Sequence, residues 1–262
     1  KLPAQIDKIC PSGFTAQQVL LTMAPDKMVG LAQELTDDQL KIFGEKFADY
    51  PVFGAVLGAT DSLNREAVAA AAPQVIIDTG EAKEGAEEDL NALQEQLGIP
   101  VVFIEAKLSD YGAAYARLGE LLGMEDRGNE LSAYCDDAYK TVETAMAGIP
   151  EDQRVRMAYL LGDNGLNAIA KTSFQGAVMD MVADNVVVVD DVSVKGNGNE
   201  VSLEQIALWN PDLIIFQTGS IYDTVGDDPA WVGIAAIDND NYYQVPNDPW
   251  CWMNNPPTVN QL

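Results

Sequence analysis

The apolar positions of this chain fall into short runs, and one arrangement of them occurs twice. "AAPQVIIDTG" (71–80) and "WNPDLIIFQTG" (209–219) each set a proline just ahead of an apolar triplet. Aligning Asn64 with Ser202 extends the match: Glu66 meets Glu204, Val68 meets Ile206, Ala69 meets Ala207 and Pro73 meets Pro211. Asn64 and Ser202 suit helix N-caps, and Ser202 with Gln205 has capping-box spacing. Each copy therefore predicts a short helix stopped by a proline, which cannot donate the next backbone hydrogen bond, and then a buried parallel strand. A turn or loop follows near Gly80 or Gly219.

Other alternations extend this pattern. "QIDKI" predicts a strand before "CPSG", "AQQVLLTMA" a helix and "KMVGL" another strand; "LQEQLGIP" predicts a helix before the strand "VVFIEA", with Gly98 and Pro100 between them. After Pro150, "VRMAYLL" opens a second series: the loop "GDNGLNA", the helix "SFQGAVMDMVA", the run "NVVVVD", the second repeat copy and a short strand at "NYYQVP". Two α/β lobes are the economical reading.

The middle of the chain differs. "SDYGAAYARLGELLG" predicts one helix, and "EDRGNELSAYCDDAYKTVETAMAG" a longer one, in which Leu131, Cys135, Ala138, Val142 and Ala145 recur every three or four residues. About 22 helical residues extend about 33 Å, enough to brace two small lobes; a surface helix of one continuous α/β domain is the alternative. The expected organisation is an α/β lobe over 1–108, a helical connector over 109–150 and a second α/β lobe over 151–262. A long connecting helix predicts less lobe closure than a flexible hinge.

The chain has 262 residues, enough for one large core or two ordinary ones, and a formal charge of −26 that opposes attraction to nucleic acid or anionic lipid. A cationic or neutral partner is easier to accommodate, although solubility or adaptation to the growth environment explains the same excess. Cys10, Cys135 and Cys251 are too few and too widely spaced for a disulfide scaffold, zinc ribbon or iron–sulfur cluster. No uninterrupted apolar run approaches membrane-spanning length, and the first residues lack a signal-peptide core.

Taken in order, "PAQIDKI", "MAPDKMVGL", "AAPQVII", "LGELLGMED", "SFQGAVMDMV", "SLEQIALWNPDLIIF" and "YYQVPNDPWCWMNNPP" resemble the ABC-transporter substrate-binding proteins for iron-siderophores, haem, vitamin B12 and related metal chelates. The resemblance covers nearly the whole chain. It implies the class III periplasmic binding protein fold: two Rossmann-like α/β lobes joined by a long spine helix, with ligand held in the intervening cleft. It also implies extracytoplasmic capture, in a periplasm or on a lipid anchor at the outer face of the membrane. Delivery would be to a permease driven by a separate ATPase. A monomer without a resident cofactor is expected, any metal arriving inside the ligand.

Ligands of open α/β sheets meet loops beyond the strand carboxyl ends. These loops hold Ser12, Gly13 and Phe14, the turn at Gly54, Thr79 to Glu81, and Glu105 in the first lobe. In the second they hold Asn164 to Lys171, Gly219 to Tyr222, and Pro249 to Trp252. Ser12 or Thr15 could cap the helix that follows rather than touch ligand, and Phe14 could stack on ligand or cover the core. Asp163, Asn164, Asn167 and Lys171 concentrate polar chemistry, with Lys171 suited to a ligand carboxylate or oxyanion, or else facing solvent. Trp250 and Trp252 share a direction if extended, and with Tyr222 or Trp231 could wall a pocket or pack a core. Cys10 and Cys251, with Met23 and Met253, could offer sulfur to a soft metal, but their spacing matches no local metal motif. With zero histidines, haem would need Tyr or Cys as its protein ligand.

The resemblance implies an acidic docking residue on each lobe. Glu81 and Glu84 fit in the first. The second offers Asp223, Asp227 and Asp228 rather than a glutamate. There is no histidine, GxSxG elbow or P-loop lysine motif, so a binding protein rather than an enzyme is expected. An oxyanion-binding transport protein and a metallocluster enzyme of similar bilobal architecture are the alternatives.

Overall fold

The computed structural model describes residues 1–56, 62–82, 85–193, 196–246 and 250. The chain divides into two compact units, one running to Tyr139 and one starting at Lys140.

In the first unit, β1 (Ile9–Pro11) leads into α1 (Phe14–Met23) and α2 (Asp37–Phe43). Then come α3 (Arg65–Ala71), β2 (Val75–Gly80), α4 (Ala86–Leu97), β3 (Val101–Glu105), α5 (Tyr111–Leu122) and the start of α6 (Glu125–Met146). The sheet has order β1-β2-β3, all parallel, with Ile9 opposite Val75 and Ile77 opposite Val102. On one face Cys10, Ile76 and Val101 pack with Val68 of α3, Leu93 of α4 and Phe53. Alternation turns Ile9, Val75 and Ile77 to the opposite face, where α1 and α5 pack on the strands.

Two strand expectations shift here. "QIDKI" is not the strand: the Gln74 side-chain oxygen accepts from Asp7 N (2.6 Å) and Lys8 N (3.0 Å), so pairing starts only at Ile9. "KMVGL" makes only single bridges, Met28 to Ile9 and Leu31 to Val52. Between them Gly30 lies against Phe53, where a Cβ would come within 2.3 Å of the ring, so the chain changes partners where no side chain fits.

The second unit contains β4 (Arg156–Leu161), β5 (Asn167–Ala168), α7 (Ala177–Val182), β6 (Asp184–Asn185) and β7 (Asn199–Glu200). These are followed by α8 (Leu203–Trp209), β8 (Leu213–Phe216), α9 (Ala235–Asp238) and β9 (Tyr242–Gln244). The sheet runs β7-β5-β4-β8-β9, with β6 also on β4. β6, β8 and β9 are parallel to the β4 direction, whereas β5 turns back antiparallel on β4 and β7 pairs antiparallel with β5. One side of β4 buries Met157, Tyr159 and Leu161 with Met179 of α7. The other side buries Ala158 and Leu160 with Ile206, Phe216 and Trp231.

The run "NVVVVD" forms a strand only at Asp184–Asn185; Val187 O instead accepts from Lys171 N at 2.8 Å. The predicted loop "GDNGLNA" contains β5, and helix α7 starts only at Ala177 because Ser173 closes a turn to Ala170 and Gly176.

Both repeat copies are built alike. Asn64 accepts from Ala67 N (3.0 Å) and Ser202 from Gln205 N (3.2 Å), while Val68 and Ile206 are fully buried. Each helix stops at a left-handed residue before its proline, Ala72 (φ 47°) and Asn210 (φ 43°), a conformation that ends helical hydrogen bonding. Helix α6 spans 22 residues; along its predicted stripe Leu131 is buried, Cys135, Ala138 and Val142 are half-buried, and Ala145 is exposed.

Candidate functional site

Beyond β1, Ser12 is fully buried, its N–H bonded to Ile77 O (3.0 Å) and its hydroxyl donating to the Asp78 carboxylate. Gly13, also buried, is the α1 N-cap without a side-chain cap bond, so neither Ser12 nor Thr15 caps that helix. The β1–β2 ladder draws Ser12 toward Asp78 instead. Phe14 is half-buried. Next to Asp78, the buried Thr79 hydroxyl has no hydrogen-bond partner among the described residues. Glu81 is half-buried, and Glu105 pairs with Lys107 at 2.7 Å. The Glu105 bond and charge raise the Lys107 pKa, with smaller contributions from Glu81 and Asp110.

In the second unit, Gly162 to Leu166 form the tight turn from β4 to β5, with Gly165 N on Gly162 O (3.0 Å) and the Asn164 side-chain oxygen accepting from Leu166 N (3.1 Å). Asp163 and Asn164 are exposed there, and Asn167 is half-buried beside Gly162.

Lys171 does not join them. Its ammonium bonds Glu151 and, at 3.2 Å, Asp184. Asp184 lies opposite Arg156, the first residue of β4, which puts Lys171 at the amino end of the sheet. The bond to Glu151, followed by that to Asp184, raises its pKa. The sequence sets Lys171 among the carboxyl-end loops, facing either a ligand anion or solvent; its charge is instead paired with Glu151 and Asp184 at the other end of the strands.

Tyr222 is half-buried, its ring 5.8 Å from Tyr242 and 6.4 Å from Phe216. Trp231, 3% exposed and 6.1 Å edge-on to Phe216, belongs to the core rather than a pocket wall. The Ser220 hydroxyl is buried without a partner among the described residues. Trp250 is half-buried; Trp252, Cys251 and Met253 lie outside the described residues.

Of the docking candidates, Asp223 and Asp227 are exposed, and Asp228 accepts from Ala230 N (2.9 Å), capping the Pro229–Trp231 turn. Glu84 lies outside the described residues. Cys10 faces the core, and burial pushes its thiol up to about 12. Met23 is likewise buried, and no cluster of three metal-ligating His, Cys, Asp or Glu side chains occurs among the described residues. Sequence reasoning passed over Asp78, although a carboxylate directly after the apolar triplet Val75–Ile77 was a visible signal.

The periplasmic binding protein family model matches residues 22–249. No curated protein matches the sequence. An ABC transporter solute binding protein from Sulfurospirillum deleyianum is similar in structure, with TM-score 0.88 and 26% identity, over 98% of this chain and 80% of that one. A periplasmic solute binding protein from Veillonella parvula gives TM-score 0.75 at 22% identity, over 99% and 79% of the two chains. The molybdate periplasmic binding protein of Haemophilus influenzae, solved with molybdate, gives 0.75 at 18%, over 94% and 80%. The last two likenesses concern the fold alone.

Proposed function

The chain belongs to the periplasmic binding protein family, and from that premise we propose that it is the extracytoplasmic substrate-binding component of an ABC importer. It captures a small-molecule metal chelate, of the siderophore or corrinoid kind, and hands it to a membrane permease. Capture uses the loops at the strand carboxyl ends: Gly13 and Phe14 in the first unit, and Asn164, Asn167, Tyr222 and Trp250 in the second. The aromatic side chains supply apolar surface and the amides fix orientation. Ser12 supports this surface from beneath through Asp78.

The observation that carries the proposal is the repeated α/β unit, each copy with parallel strands opening onto a loop set, in a chain whose family match spans residues 22–249. Glu81 in the first unit and Asp223 and Asp227 in the second orient docking on a basic permease surface. The protein works as a monomer, without turnover, free in a periplasm or lipid-anchored. No helix among the described residues is long and apolar enough to cross a membrane.

Native mass spectrometry of protein purified from its source without refolding, with metal analysis of the extracted ligand, tests the proposal. A stoichiometric metal-bearing small molecule is expected. An empty protein that also ignores siderophores, corrinoids, haem and oxyanions would sink it.

A further inference from the structure

Asn-Gly occurs twice in the chain, at Asn164-Gly165 and Asn197-Gly198, and in both places the asparagine is exposed. The pair is chemically labile because glycine has no Cβ to screen its backbone nitrogen from the side-chain carbonyl of the residue before it. The two pairs are equivalent in sequence, so what separates them is the fold.

In the turn between β4 and β5, the Gly165 N–H donates to Gly162 O (3.0 Å), and Gly165 is buried. The Asn164 side-chain oxygen accepts from Leu166 N (3.1 Å), the Asx arrangement in which a side chain stands in for a backbone turn. Before Gly165 N can attack Asn164 Cγ it must give up its proton, and that proton is bonded to a carbonyl away from solvent. Both bonds must break before the attack geometry is reached.

The other pair lacks this protection. Gly196 and Asn197 form an exposed turn just ahead of β7. Asn199 ties the base of that loop, donating to Asp191 O (2.6 Å) and accepting from Ser193 N (3.0 Å). No hydrogen bond reaches the Asn197 side chain or the Gly198 N–H among the described residues. The fold nevertheless demands glycine at 198: its φ is 67°, and a Cβ there would lie 2.5 Å from Ala168 O. Packing against β5 therefore fixes the reactive glycine, whereas nothing among these contacts requires the asparagine before it.

We propose that Asn197 is a deamidation site of the folded protein and that the β4–β5 turn shields Asn164 from the same reaction. Gly198 N loses its proton to solvent base and bonds to Asn197 Cγ; the Cγ–Nδ2 bond breaks, and the amide nitrogen takes up a proton and leaves as ammonia. The five-membered imide then adds water at either carbonyl, giving aspartate or, with the main chain rerouted through Cγ, isoaspartate. Water enters, ammonia leaves, and nothing is oxidised or reduced. A neutral side chain becomes a carboxylate. Shielding keeps Asn164, an amide of the proposed capture surface, from gaining a charge beside Asp163, while deamidation at Asn197 is independent of the capture role.

The test is peptide mapping by mass spectrometry of the folded full chain after days in warm, mildly alkaline heavy-oxygen water, with digestion in ordinary water. The product at Asn197 should carry one solvent oxygen, which separates it from deamidation during digestion. It should form about tenfold faster than product at Asn164, where two hydrogen bonds must break first. Asn197→Ser should abolish that product with unchanged thermal unfolding. In urea, where neither set of contacts survives, the two asparagines should convert at comparable rates. Equal conversion at both positions in the folded protein would overturn the proposal, as would an intact Asn197 in the folded protein beside a converting one in urea. An Asn164 that stays slow in urea would place its protection in the sequence rather than the turn, and would overturn the shielding.

Discussion

Replacing Gly128 by alanine sets two effects of similar size against each other. In a helix interior, alanine is favoured over glycine by about 1 kcal/mol because it loses less backbone entropy. Gly128, however, faces α5 at a close crossing, where an added Cβ would lie 2.8 Å from Gly119 Cα and 2.8 Å from Tyr115 O. Ordinary carbon contacts sit at about 3.5–4.0 Å, so the helices must part by about 1 Å, and neither contact is the end of a movable side chain. Such overpacking costs about 1–3 kcal/mol, and it would also loosen the buried neighbours Tyr115, Leu118 and Leu131. Gly128→Ala is therefore expected to destabilise by about 1–2 kcal/mol net, lowering the melting temperature by a few degrees. Gly119→Ala, whose nearest atoms are at 3.1–3.2 Å, should lose less, and Gly148→Ala, with nothing within 4 Å among the described residues, nothing. Urea and thermal unfolding followed by circular dichroism give the comparison. If Gly128→Ala is instead stabilised by about 1 kcal/mol, as an unopposed helical substitution would be, the close crossing does not exist.

Three further outcomes follow from individual side chains. Gln18 is buried with both amide atoms lacking partners among the described residues, so Gln18→Met should stabilise by about 1–3 kcal/mol by removing unsatisfied polar groups; a loss in urea unfolding would reveal a hidden partner. Lys171→Met should cost about 0.5–1 kcal/mol, the size of a partly exposed ion pair, and leave ligand affinity unchanged; a tenfold loss of affinity would return Lys171 to the binding surface. Burial is the main cause raising the Asp180 pKa, against the opposing bonds from Thr172 N and Asn185. The folded state then holds this proton more tightly than the unfolded one. Its stabilisation is complete below the unfolded carboxylate value and lost as pH rises through the raised folded value. The stability of Asp180→Asn relative to the parent should therefore climb with pH across that acid window and level off above it, and a falling difference would contradict the sign.

How far the site was legible depended on the range of the signal. Asp163, Asn164, Tyr222 and Glu81 could be assigned to loops after strands because those strands were legible and a loop beyond a parallel strand has only one end to occupy. Lys171 lay in a loop assigned to the carboxyl end of β4, but the two-residue strand β5 carries the chain back along β4 before Lys171 is reached. A pair of residues has no periodicity to detect. Trp231 and Cys10 looked like pocket chemistry because tryptophan and cysteine serve cores and sites equally well until their neighbours are known.

By itself the sequence determined the elements whose causes lie within a few residues: the caps at Asn64 and Ser202, the stops before Pro73 and Pro211, the parallel strands Val75–Gly80 and Leu213–Phe216, and the 22-residue α6. Tertiary structure alone decided that Ser12 turns inward to Asp78 and that α5 and α6 touch at Gly119 and Gly128. It also decided that Arg154, Arg156 and Lys171 are held at the amino end of their sheet. Caps and helix stops act between neighbours in the chain, whereas the partner of a buried hydroxyl or a cation is fixed by strand register and helix contact between residues far apart in sequence.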